Sequence, residues 1–181
     1  MKKLLFFLCT VCFAVACNNK DGNSSSSGSD STKMSSTKLD YPYKIDSAYK
    51  DWQPGDQQHA VNVMKSLKAW QDNNIAECVS YMGDSLDIQF DNYRKKLPHD
   101  NLTHEFTNFR NAYTKVDIKM EDWESVISKD GKDEWVTMWY KQITTDLKGK
   151  IDSVEVINDA KMLKGKIIVL DEYIRHLPAK K

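Results

Sequence analysis

The chain has 181 residues, 40% hydrophobic and 29% charged, with 26 basic side chains balanced by 26 acidic ones. That balance, with no basic stripe interleaved with aromatics, argues against a nucleic-acid surface. The length suits one globular domain with appendages, and beyond the first 17 residues no apolar run reaches the roughly 20 that a membrane helix needs.

Met1-Lys2-Lys3 is a charged start, and Leu4 to Val15 is an apolar run too short to span a bilayer. That is the pattern of a secretory signal peptide. Ala14-Val15-Ala16-Cys17 closes it. These residues resemble a bacterial lipobox, with small residues before a cysteine. The resemblance implies that residues 1–17 form a lipoprotein signal peptide, cut before Cys17, and that Cys17 is lipidated. One acyl chain holds a protein marginally, whereas two or three make a stable anchor. The expected partner is therefore a membrane, reached through Cys17, in the cell envelope. Asn18 stands where inner-membrane lipoproteins carry aspartate, and Lys20-Asp21 is similar to the Lys-acid signals of surface lipoproteins. The expected location is the outer membrane, on its periplasmic face or at the cell surface.

Residues 18–40 are rich in serine, glycine, asparagine and lysine and nearly free of apolar side chains. Such a segment buries too little surface to offset its ordering entropy. It reads as a flexible tether of roughly 25 Å typical reach. Residues 41–55 gather Tyr41, Tyr43, Ile45, Tyr49 and Trp52 in an aromatic lead-in that folds back on the domain. Pro54-Gly55-Asp56 ends it with a helix start.

The domain is expected over residues 56–178. Asp56 is the N-cap of a first helix whose apolar face is Ala60, Val63, Met64, Leu67 and Trp70. After Asp72-Asn73-Asn74, a shorter helix carries Ile75, Cys78, Val79 and Met82 on one side. Leu86, Ile88 and Phe90 alternate with Asp87 and Gln89, the pattern of a strand. Asp91 to Leu97 is charged and reads as a loop or a helical turn. A third helix follows Pro98, capped by Asp100 or Asn101, with Leu102, Phe106, Phe109 and Tyr113 on its apolar face.

Four long strands finish the chain. Val116, Ile118 and Met120 alternate with charged residues, and Asp130-Gly131 is a hairpin signal. Glu134–Asp146, Ile151–Leu163 and Lys166–His176 are rich in β-branched and aromatic residues and are separated by Lys148-Gly149 and Lys164-Gly165. Helices early and strands late predict an α+β fold in which a long, twisted antiparallel sheet packs on three N-terminal helices.

The region from about Asp56 to Leu177 resembles the nuclear transport factor 2-like superfamily, which includes SnoaL-type polyketide cyclases and ketosteroid isomerase. The resemblance rests on Trp70-Gln-Asp-Asn-Asn-Ile-Ala-Glu-Cys-Val-Ser-Tyr81, on Tyr81-Met-Gly-Asp84, and on Gly165-Lys-Ile-Ile-Val-Leu-Asp-Glu-Tyr173. It implies that the fold is a cone-shaped, curved antiparallel sheet packed on the three N-terminal helices, with a cavity at the wide end of the cone and a sheet face that forms a homodimer. It also implies that a catalytic aspartate, if present, is Asp91 or else Asp87. Trp70, Phe90, Phe106, Trp139 and Tyr140 are the candidate pocket residues. The four histidines and the body cysteine Cys78 show no metal spacing, so neither metal nor cofactor is expected. The expected function is a lipid-anchored envelope protein with a non-catalytic domain that binds a small apolar ligand or a protein. The alternative is an isomerase, cyclase or dehydratase using an aspartate base.

Overall fold

A computed structural model describes residues 40–177 apart from Asn92. The expected signal peptide, Cys17 and nearly all of the expected tether lie outside the described residues. The chain divides at Asp40, and the unit from Tyr41 onward forms the domain.

A single 3-10 turn, Ser47–Tyr49, precedes the short strand β1 (Gln53–Pro54). Helices α1 (Gln57–Gln71) and α2 (Ile75–Ser80) follow, then β2 (Met82–Phe90), β3 (Tyr93–Pro98) and helix α3 (His99–Arg110). The long strands β4 (Tyr113–Ile127), β5 (Glu134–Asp146), β6 (Ile151–Leu163) and β7 (Lys166–His176) complete the domain.

Asp56 caps α1, its carboxylate accepting from the Gln58 amide at 2.7 Å. This satisfies one of the orphan donors of the first turn. Ala60, Val63 and Ala69 are buried on the inner side of α1, with Met64, Leu67 and Trp70 packed against the core. The helix ends where Asn73 turns into the left-handed region at φ 59°. Arg110, at the end of α3, fastens that end. Its buried guanidinium donates to the carbonyls of Trp70 (3.1 Å), Gln71 (3.3 Å) and Tyr113 (2.8 Å).

The seven strands form one sheet in the order β1-β4-β5-β6-β7-β2-β3. Every pair is antiparallel except β2 with β7, so the sheet is mixed. Register shifts interrupt β4 between Met120 and Asp122, and the β2–β7 pair between Met82 and Asp87. Such bulges increase local twist and bend the strand. The bent sheet packs its inner face on α1, which contacts β4, β5 and β7. Leu86, Ile88, Val136, Met138, Tyr140, Val156, Ala160 and Ile167 are almost fully buried there.

Four local readings change. Met82 lies beyond α2 and opens β2, and α3 starts at His99 after Pro98, so Asp100 and Asn101 lie inside the helix and neither caps it. The charged stretch after Asp91 is not a loop or a helical turn but strand β3, paired with β2 from Phe90↔Tyr93 to Ser85↔Pro98. As the outermost strand it keeps Arg94, Lys95 and Lys96 exposed, which an edge strand accommodates. Tyr113 does not extend α3 but opens β4, because α3 stops at Arg110. The lead-in adds β1 to the β4 edge, where the Gly55 amide donates to the Ser125 carbonyl at 2.8 Å.

Candidate functional site

A cavity of about 400 Å³ lies between the inner face of the sheet and the helices. α1 contributes Val63, Ser66, Leu67 and Trp70, and α3 contributes Phe106 and Phe109. The sheet supplies Phe90 of β2, Met138, Tyr140 and Gln142 of β5, Asn158 of β6, and Leu170 and Glu172 of β7. The exposed residues Asn108 and Ala112 mark its mouth at the end of α3. Aromatic rings make one wall. Phe106 stands edge-on to Trp70 and to Phe109, with centroids 6.2 and 6.1 Å apart. Phe90 leans on Phe109 at 5.9 Å.

Three polar residues of this lining are joined by hydrogen bonds. Strand register produces it: Asn158 of β6 stands opposite Glu172 of β7, and Glu172 stands beside Phe90 of β2. The Tyr140 hydroxyl donates to Glu172 Oε2 at 3.3 Å, and the Asn158 amide donates to the same oxygen at 3.3 Å. Glu172 Oε1 receives no hydrogen bond from the described residues, and the Glu172 side chain lines the cavity. Burial pushes the Glu172 carboxyl above the usual carboxylate range, against the pull of those two donors. Burial likewise raises the Tyr140 phenol well above its ordinary value, and the neighbouring Glu172 charge adds to the effect. Glu172 is the one charged side chain lining the cavity among the described residues, and no lysine, arginine or histidine lines it.

No family model and no curated protein matches the chain. Solved structures do. One is an NTF2-like protein of unknown function from Burkholderia pseudomallei, with TM-score 0.55 and 8% identity, covering 66% of this chain and 92% of that one. A second is an LEH-like epoxide hydrolase of M. tuberculosis, with TM-score 0.53 and 13% identity, covering 65% and 83%. A third is AusH from Aspergillus nidulans, with TM-score 0.54 and 12% identity, covering 68% and 87%. The chain has the nuclear transport factor 2-like fold. At these identities the likeness is one of architecture.

Within this NTF2-like cone the sequence-predicted residues separate. Trp70, Phe90, Phe106 and Tyr140 line the cavity. Trp139 does not. Side chains alternate along a strand, and Trp139 falls between the inward Met138 and Tyr140. It stands on the outer face between Asp122 and Ile157.

Asp87 and Asp91 are likewise outside the cavity. Asp87 alternates with the buried Leu86 and Ile88, and its carboxylate meets Gln89 Nε2 at 3.2 Å and Arg94 at 3.6 Å. Asp91 is exposed in the β2–β3 turn with φ 38°. The carboxyl that does enter the cone, Glu172, was not among the candidates. Its signal is a break in the apolar alternation: Leu170, Glu172 and Ile174 share a face, as do Val156, Asn158 and Ala160.

The cavity also takes in Cys78, whose thiol burial pushes up to about 11, while the Ser66 hydroxyl donates to the Cys78 carbonyl at 2.9 Å. At neutral pH that thiol is protonated and no nucleophile. Among the described residues no three His, Cys, Asp or Glu side chains converge on a metal-sized site, and no helix is long and apolar enough to cross a membrane.

Proposed function

We propose that this is a lipid-anchored protein of the cell envelope whose cone binds a small, largely apolar molecule bearing one polar group. The observation that carries this reading is the cavity: about 400 Å³, walled by aromatic and aliphatic side chains, with polar groups converging at one place. That combination is the usual anatomy of a small-molecule site. A pocket filled by its own side chains would have argued for a scaffold instead. Anchoring through Cys17 to the outer membrane rests on the lipobox-like sequence. The outer sheet face, with Trp135, Trp139, Ile157 and Tyr173, supplies the apolar surface for a homodimer.

Native mass spectrometry of the protein purified without added ligand tests the binding reading. A co-purified small molecule, lost in a variant with a blocked cavity, is the expected result. An empty cone that binds no member of a panel of small apolar compounds overturns it. Replacing Cys17 by serine tests the anchor: the protein moves from the membrane to the soluble fraction, and retention of membrane binding refutes lipidation.

A second reading is proton-transfer catalysis. It is favoured by one observation, the buried carboxyl of Glu172 with its raised pKa beside the Tyr140 hydroxyl. A buried carboxyl whose pKa is raised, lining a ligand cavity, is fit for general acid or base work. In this reading the proton-carrying group is Glu172. A Glu172→Gln variant that binds ligand but no longer turns it over distinguishes it from simple binding.

A further inference from the structure

The lining of the cone says more about its occupant than that it is apolar. We infer that the ligand is a hydrophobic amine, whose ammonium group pairs with Glu172 Oε1 while its apolar body fills the space against Trp70, Phe106 and Phe109. This deepens the binding reading above and rests on it.

The charge inventory of the cavity is one-sided. Glu172 is its single charged side chain, and no cation among the described residues faces it. The carboxylate is also half-served. Both of its protein donors, the Tyr140 hydroxyl and the Asn158 amide, fall on Oε2. Oε1 has no donor among the described residues, on a side chain that lines the cavity. The Asn158 carbonyl oxygen is a further uncompensated acceptor nearby: it is buried, with no partner, in a residue 6% exposed. A buried polar group without a partner is costly, and a buried anion more so. A ligand ammonium at Oε1 supplies the missing donor and the missing charge at once.

Other ligand classes fit less well. A fatty acid or other organic anion would bring a second negative charge with no counter-ion within the lining, and like charges in a low-dielectric site repel strongly. A neutral alcohol makes the hydrogen bond but leaves the carboxylate charge uncompensated.

The test uses three probes that share one apolar body: naphthylmethylamine, naphthylmethanol and naphthoate. Binding is followed by tryptophan fluorescence of the full-length protein in phosphatidylcholine nanodiscs, with empty discs subtracted. The amine is expected to bind about tenfold or more tighter than the alcohol, an increment of the size charge-assisted hydrogen bonds provide, and the naphthoate weakest. In Glu172→Gln the amine and alcohol converge while the alcohol keeps its affinity. Equal affinity for all three, or preference for naphthoate, overturns the amine assignment and leaves the cavity a binding site. Failure of all three to bind, in wild type and variant alike, overturns the binding reading itself. Amine preference that survives Glu172→Gln unchanged refutes the role of Glu172.

Discussion

Replacing Tyr140 by phenylalanine removes one oxygen from a residue that is 1% exposed, and leaves the ring to fill the same space. The lost group is one of two donors on Glu172 Oε2. At 3.3 Å the bond is longer than the usual O–H···O separation, so it sits at the weak end of the charge-assisted range. We expect a loss of about 1.5 kcal/mol with Glu172 ionised and about 0.5 kcal/mol with it neutral. For a domain of this size the larger figure corresponds to a fall in Tm of about 3–6 °C. The bond stabilises the ionised carboxyl, so its loss should hurt more as pH rises.

Urea unfolding of wild type, Tyr140→Phe, Glu172→Gln and the double variant gives the coupling directly. The expected coupling is about 1 kcal/mol at the alkaline end and smaller under acid conditions. The same Tyr140→Phe cost in the Glu172→Gln background, at every pH, would falsify the account. The hydroxyl would then be packing filler and not a partner of the carboxylate.

The remaining predictions concern the same cone and its supports. Glu172 has a raised folded-state pKa, so the folded chain holds its proton more tightly than the unfolded chain does. Its stability contribution is complete below the unfolded value and is lost as pH rises through the folded one. Glu172→Gln should therefore melt higher than wild type at neutral pH and match it more closely in acid; the reverse order in a Tm-against-pH series refutes the burial argument. Ala112→Trp at the exposed mouth should weaken ligand binding about tenfold or more while Tm moves little, since surface changes cost within about 0.5 kcal/mol. Arg110→Met leaves three backbone carbonyls without their donor and should cost about 2–4 kcal/mol in urea unfolding; a cost below about 1 kcal/mol would show that water replaces the guanidinium. Asp91→Asn, in an exposed turn outside the cavity, should leave both ligand binding and Tm unchanged.

The sequence by itself determined the architecture. Apolar spacing on α1, the Asp56 cap, the alternation in β2 and β4, and the hairpin glycines between the late strands are local signals, each readable within a dozen residues. The α+β order of elements follows from them. The charged stretch Arg94-Lys95-Lys96 misled because an edge strand is held by its backbone and needs few apolar side chains.

The polar end of the cavity was decided only by tertiary structure. Tyr140, Asn158 and Glu172 lie on three strands, and nothing local couples them. Register alone brings them together: two adjacent ladders set Asn158 opposite Glu172 and place Tyr140 two residue pairs along, on the same face. Trp139 shows the same dependence from the other side, since the pleat sends it outward while both of its neighbours turn in. Whether an acidic residue near an apolar run is solvated or buried depends on which face of the sheet it occupies. Asp87 and Glu172 are chemically alike and meet opposite fates for that reason.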